Sequence, residues 1–475
     1  MTGANFLLET NTGKKILIDC GMVQGEQFAE EINGQPFPYD PATIDCLIVT
    51  HAHLDHVGRI PKLVKDGFKG KIYSTLQTKE LAELVLDDAA GILAEEARRS
   101  NTKPIYDRND IAQVFPLWQM IPYHQKCDIA EGTSFILKDA GHILGSAMIE
   151  INVIPAKASP ERTFRPASPT SGMRFGSREE TFATGETFAE LKILFTGDLG
   201  NSPAPLLRDT EEIGDVDYLV MESTYGNKNH EPKEQRTAQF EQIIKDAINR
   251  GGTLVIPAFS IDRTQVLLYE LNNMVEQNRI PKVPVFVDSP MAIKATEIYR
   301  DSSELFNDNV RTQIARGDDI FAFPHLEYTI SQNESASIEH LKGAKIILAG
   351  SGMSVGGRVI GHEEHLLPDP KNTLLLVGYQ TAGSLGRRLA DGEKKVSIHG
   401  NKVLVKAKIE TLYGYSAHKD SDHLLGFVAT ATDRLKKVFV VMGEPAASMY
   451  LAQKINNELS VKALLPEKDL EYKLQ

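Results

Sequence analysis

The sequence predicts an α/β protein. Two observations carry that expectation. From about residue 230, short apolar strands alternate with helical stretches, as in a largely parallel sheet. The first stretch is instead β-rich, and the last part of the chain returns to β character. At 475 residues the chain holds about three average domains, or two larger ones.

The elements follow in order. NFLLET and KKILIDCG read as a hairpin across the turn-like NTGK. DCLIVTHAHLDHVGRIPKLVKDG reads as a buried strand, a loop and a helix. KIYSTLQT is a short strand, and KELAELVLDDAAGILAEEARRS has helical periodicity. TSFILKDAGHILGSAMIEINVIP gives two strands around a polar turn, and LKILFTGDLG and YLVMESTYG are strands each followed by an acidic residue. Residues 157–190 are rich in Ser, Pro, Thr, Gly and Arg without an apolar period, so a long surface insertion is expected there. Helix and strand then alternate through EQRTAQFEQIIKDAINRGG, TLVIPAFS, IDRTQVLLYELNNMVEQNR and VPVFVDSP, with KIILAGSG, TLLLVGYQ and KVFVVMGE as further apolar strands.

Composition excludes several classes. With 41% hydrophobic and 24% charged residues the chain is neither collagen-like nor disordered. It has no apolar run of about 18 residues for a membrane span, and no signal peptide is expected at its start. Three cysteines, Cys20, Cys46 and Cys127, fit no zinc ribbon and point to a reducing, cytoplasmic location. The net charge of −12 argues against coating nucleic acid over the whole surface, but leaves room for a local basic cleft.

The strongest chemical signal is Thr50-His51-Ala52-His53-Leu54-Asp55-His56, directly after the strand CLIVT. Imidazole and carboxylate are preferred ligands of zinc and similar ions. Alternate residues of an extended segment point the same way, so His51 and His53 can grip one ion. Asp55 and His56, past the turn, can face a second.

This segment resembles the metallo-β-lactamase superfamily, whose signature is H-x-H-x-D-H. Asp19 in LIDCG, His142 in DAGHILGSA and Asp198 in LFTGDLG match its other motifs in order. The resemblance implies that His51, His53 and His142 hold one metal, that Asp55 and His56 serve a second, and that Asp198 bridges both. It implies for Asp19 a role in orienting the metal site. Met221-Glu222-Ser223-Thr224-Tyr225-Gly226 and Gly414-Tyr415-Ser416-Ala417-His418-Lys419-Asp420 are similar to motifs of the β-CASP branch. So are IPAFSIDRTQ, VDSPMA, SGMSVGGR and VGYQTAGSLGRR. The implied fold is an αββα sandwich formed by 1–225 and 401–475, with an α/β β-CASP domain at 226–400 inserted in it.

The implied activity is zinc-dependent hydrolysis of RNA phosphodiester bonds by a metal-activated hydroxide. Asp55, His418 and Glu222 are the implied catalytic residues, His418 being placed with Glu222 to stabilise or protonate the leaving oxygen. The implied partner is RNA threaded between the domains, with single-stranded DNA and a homodimer left open and no membrane partner. The Gly-rich loop of Ser354, Gly356, Gly357 and Arg358, and the helix start at Arg263 and Thr264, fit RNA phosphates. Arg358, Arg387 and Arg388 could instead be salt-bridged surface residues.

Three departures stand out. The family's V-H-G-E segment reads Val441-Met442-Gly443-Glu444, so a thioether replaces an imidazole and the second of two zinc ions is expected to bind weakly, or not at all. A catalytically impaired RNA-binding paralogue is therefore the alternative. The chain begins at MTGAN, where the family usually has one more strand, so either the start is mis-assigned or this is a fragment, and a missing edge strand would cost stability and expose a sheet edge. The 157–190 insertion, with Arg162, Arg165, Arg174 and Arg178, is either a solvated loop or an RNA contact.

Overall fold

The computed structural model describes residues 3–24, 29–154, 163–166, 173–176, 190–381, 383–431, 433–468 and 470–474. The chain divides into two compact units. The first comprises Met1–Ser202, Asp209–Asn229 and His418–Gln475, and the second Pro203–Arg208 and His230–Ala417.

The first unit holds two sheets. One runs Met173–Gly176, Leu470–Lys473, Thr163–Pro166, Phe6–Glu9, Lys15–Ile18, Cys46–Ile48, Lys71–Ser74, Trp118–Met120. The other runs Lys462–Leu464, Lys437–Val440, Tyr218–Met221, Leu191–Phe195, Ala147–Val153, Thr133–Asp139, Cys127–Ala130. Phe6, Leu8, Ile16, Ile18 and Ile48 from the first sheet share one core with Phe135, Leu137, Ile149, Ile151, Ile193 and Phe195 from the second. The intervening Leu7 and Leu17 face the other way and are also fully buried. Strands buried on both faces read as unbroken apolar runs, which is why they were legible. On its outer face the second sheet packs Leu194, Leu219, Val438 and Val440 against Leu424 and Phe427 of helix Ser421–Val428 and Leu451 and Ile455 of helix Pro445–Glu458.

The predicted NTGK hairpin forms, with Phe6 opposite Ile18 and Glu9 opposite Lys15. The expected open edge beside it does not: Phe6–Glu9 pairs on its other side with Thr163–Pro166, Phe6 opposite Pro166. Met173–Gly176 pairs in turn with Leu470–Lys473. The segment read as irregular thus supplies two strands. Each is four residues, TFRP and MRFG, too short for an alternation to show. Arg162 and Arg178 lie outside the described residues, as do the side chains of Arg165 and Arg174, so the expected RNA contact there falls outside them too.

The second unit carries a six-stranded sheet in the order Leu326–Tyr328, Val285–Asp288, Lys345–Ala349, Thr253–Pro257, Thr373–Val377, Lys408–Leu412. Every pairing in it is parallel. Helices including Arg263–Glu276 and Arg358–Leu366 join its strands, as the alternation predicted. Among the described residues no helix is long and apolar enough to cross a membrane.

Candidate metal centre

The site grows from two neighbouring parallel strands. Lys15–Ile18 and Cys46–Ile48 run side by side with Ile18 opposite Ile48, so Asp19 and Thr50 emerge together. Asp19 takes a positive φ of 57° and turns its carboxylate onto the next segment. Its Oδ1 accepts the Thr50 N–H at 2.8 Å. Its Oδ2 accepts the Thr50 hydroxyl at 2.8 Å and His56 Nδ1–H at 2.7 Å. With Nδ1 held by Asp19, His56 directs Nε2 to Asp198 Oδ1 at 3.5 Å. This closeness needs Gly21, because a Cβ there would lie 1.6 Å from the Asp55 carbonyl oxygen.

His51 and His53 lie on the extended stretch that leads into helix Leu54–Val57. His142 comes from the turn between Thr133–Asp139 and Ala147–Val153, where Ser146 Oγ accepts its backbone N–H at 3.0 Å. Asp198 follows strand Leu191–Phe195. One ligand atom from each of His51, His53, His142 and Asp198 falls within 4.8 Å of the others. The separations are 3.1 Å from His51 Nε2 to His53 Nδ1 and 3.2 Å from His53 Nδ1 to His142 Nε2. Asp198 Oδ2 lies 3.5 Å from His51 Nε2 and 3.6 Å from His142 Nε2. A tetrahedron with metal–ligand bonds of 2.0–2.1 Å has edges of about 3.4 Å. The observed edges bracket that value, so these residues fit a divalent ion. Burial, then the neighbouring imidazoles, push the His51 pKa well below the usual value and keep its ring neutral, the form that ligates.

A second cluster joins Asp198, Glu222 and His418. Glu222 follows strand Tyr218–Met221, and its Oε1 accepts the Leu199 N–H at 2.7 Å. His418 Nδ1 lies 3.1 and 3.2 Å from the two Glu222 oxygens and 4.0 Å from Asp198 Oδ2. Burial works against a charged His418, but the Glu222 and Asp198 carboxylates outweigh it and lift its pKa to about 9. Glu222 therefore ties the loop after Asp198 to the His418 segment.

Not every expected residue joins these groups. Asp55 is buried and favours the charged form of His418, but its carboxylate belongs to neither cluster. Met442 follows strand Lys437–Val440 at φ 57° and packs, half-buried, against the core between the sheets.

In the second unit, Arg263 and Thr264 open their helix and are buried, with the Thr264 hydroxyl donating to the Phe259 carbonyl at 2.8 Å. The Ser354 hydroxyl donates to Glu363. Gly357 has φ 72° and a Cβ there would lie 2.4 Å from the Gly350 carbonyl oxygen, while Gly356 borders open space. Arg358 follows the salt-bridged alternative: its guanidinium holds Asp288 Oδ1 at 2.6 Å and the carbonyls of Thr329 and Ile330. Arg387 and Arg388 likewise pair with Asp391 and Glu393.

Two residues outside the expected site, Thr50 and Lys419, also build the centre. Thr50 bridges Asp19 and the histidines. Lys419 is buried and donates from Nζ to the Gly200 carbonyl at 2.8 Å and Ser202 Oγ at 2.9 Å, clamping the loop after Asp198. Its position beside His418 was the available signal.

A two-sheet core presenting three imidazoles and a carboxylate from strand ends defines a metal-dependent hydrolase scaffold. Comparison with known proteins agrees. The metallo-beta-lactamase superfamily model matches residues 3–130, the Beta-Casp domain model 264–389, and the model of a Zn-dependent metallo-hydrolase RNA specificity domain 402–466. The chain is 32% identical over 428 residues to Ribonuclease TTHA0252 of Thermus thermophilus, covering 90% of this chain and 88% of that one. It is 30% identical over 463 residues to an RNase J-like protein of Methanocaldococcus jannaschii, covering 97% and 94%. It is also 30% identical over 471 residues to Transcription termination factor FttA of Methanosarcina mazei, covering 96% of this chain and 67% of that one. The chain belongs to the β-CASP branch of the metallo-β-lactamase superfamily.

Proposed function

We propose that the protein is a zinc-dependent ribonuclease that hydrolyses RNA phosphodiester bonds. The observation that carries this reading is the set of near-tetrahedral separations among His51, His53, His142 and Asp198. The ribonuclease and RNase J-like relatives support the substrate class. His51, His53 and His142 would hold one ion, and Asp55 and His56 would serve a second, with Asp198 shared. Bound metal supplies Lewis-acid polarisation of a phosphoryl oxygen and lowers the pKa of water.

The chain's own residues do the rest. Asp19 fixes the His56 ring through Nδ1. Glu222 holds His418 at Nδ1 and favours its protonated, imidazolium form. That proton is available to the leaving oxygen. A catalytically impaired RNA-binding protein is the second reading, favoured by Met442 in place of an imidazole. End-labelled RNA and DNA incubated with the protein and zinc or manganese separate the two. Metal-dependent, chelator-sensitive cleavage of RNA is expected. RNA bound but never cut under metal excess overturns the nuclease reading.

A further inference from the structure

The chain has 64 acidic and 52 basic residues, yet residues 394–408 contain five lysines and no Asp or Glu. They form an antiparallel hairpin of Lys395–Ile398 and Asn401–Leu404 in the second unit. Val396, Ile398, Val403 and Val405 face the core of that unit. The strand alternation leaves Lys395, Ser397, Lys402, Leu404 and Lys406 exposed. Lys395 stands opposite Leu404, and Ser397 opposite Lys402. Pairing continues one step further, where the Val405 N–H donates to the Lys394 carbonyl at 2.9 Å. Lys395 is therefore diagonal to both Lys402 and Lys406. Diagonal neighbours across such a pair lie about 7–8 Å apart.

Nearby basic residues have acidic partners: Arg387 pairs with Asp391, Arg388 with Glu393 and Lys408 with Glu410, and His399 Nδ1 lies 2.8 Å from Glu364. Among the described residues, Lys394, Lys395, Lys402 and Lys406 have no ion-pair partner. Lysines do guard strand edges against pairing. Here, however, they stand on the outer face of the ribbon in a zigzag with no acid among them. Unrelieved positive charges at regular spacing complement an anionic polymer rather than a single anion. Leu404, half exposed in their midst, offers apolar contact to a sugar or base.

We propose that this lysine ribbon is a surface of the second unit that binds the RNA backbone, gripping phosphates without reading sequence. It rests on the reading of RNA as substrate and adds a contact remote in sequence from the metal ligands. The test is binding of a fluorescent single-stranded RNA to the full chain across a salt series. The comparison is with a variant combining Lys395→Ala, Lys402→Ala and Lys406→Ala, and a second with Arg at the three positions. Each phosphate contact on a single strand contributes about 0.7 to the slope of log affinity against log salt, so the Ala variant should lose about 2 from that slope. Its affinity at 0.1 M salt should fall about tenfold or more. The Arg variant should keep both. Thermal melting checks that the Ala variant is folded.

Wild-type slope and affinity in a folded Ala variant overturn the ribbon alone, and point to edge protection. A wild type that binds phosphatidylserine vesicles but no RNA overturns both the ribbon and the RNA reading.

Discussion

Replacing Asp19 by Asn tests how the centre is held. One carboxylate serves three donors: the Thr50 N–H, the Thr50 hydroxyl and His56 Nδ1–H. An amide keeps one acceptor oxygen and turns the other into a donor. If its oxygen stays on His56, the amide NH2 meets the Thr50 N–H, donor against donor, in a site where Asp19 is 1% exposed. If the amide flips, His56 must shed its Nδ1 proton and carry it on Nε2, towards Asp198. Either way one buried bond to a charged group is lost, about 1.5–3 kcal/mol. Such a loss behind a metal-orienting ring corresponds to about 10–100-fold in metal affinity. The two magnitudes agree at RT ln 10 of about 1.4 kcal/mol per decade. Competition of the apoprotein with a chromophoric zinc chelator measures the affinity, and urea unfolding reports the fold. A variant that binds zinc as tightly as wild type and unfolds at the same urea concentration would refute the reasoning.

Three further outcomes are expected. His418→Ala should leave zinc content intact and slow RNA cleavage about 10²–10⁴-fold, by metal analysis and a cleavage assay; lost zinc with an unchanged rate contradicts the role. Met442→His should lower the free zinc needed for half-maximal cleavage, and an unchanged metal titration counts against weak binding at Met442. Glu363→Gln should stabilise the protein at pH 8 but not at pH 4. Burial raises the Glu363 carboxyl to about 7, with the Ser354 hydrogen bond opposing. A folded-state pKa above the unfolded one gives stability that is full below about 4.5 and lost as pH rises through about 7, up to about 3 kcal/mol. Urea midpoints of both proteins across this range decide it.

The metal centre was legible because its chemistry is local. His51, His53, Asp55 and His56 fall within six residues, and His142, Asp198 and Glu222 each follow an apolar strand that patterning detects. What stayed hidden was tertiary. Nothing near Arg358 in the sequence reveals that its guanidinium meets Asp288, an ion pair closed by the parallel sheet bringing Val285–Asp288 beside Lys345–Ala349. The TFRP and MRFG strands were invisible for another reason. Their pairing with Phe6–Glu9 and Leu470–Lys473 is dictated by partners far along the chain, not by a pattern of their own. Met442 shows the same limit: its departure from the family motif is plain, while its packing against the sandwich core emerges only from the fold.

The parallel pairing of Tyr218–Met221 with Lys437–Val440 also has a consequence in time. The two strands are separated by roughly 200 residues, which a ribosome adds in roughly 10–40 s at 5–20 residues per second. Through that interval the nascent second sheet ends at Tyr218–Met221, an apolar edge with unpaired backbone groups. Glu222 meanwhile waits for His418, which emerges only after the inserted unit. The candidate ligands His51, His53, His142 and Asp198 are thus all made well before His418 reaches Glu222, and through that interval the edge is open to pairing with another chain.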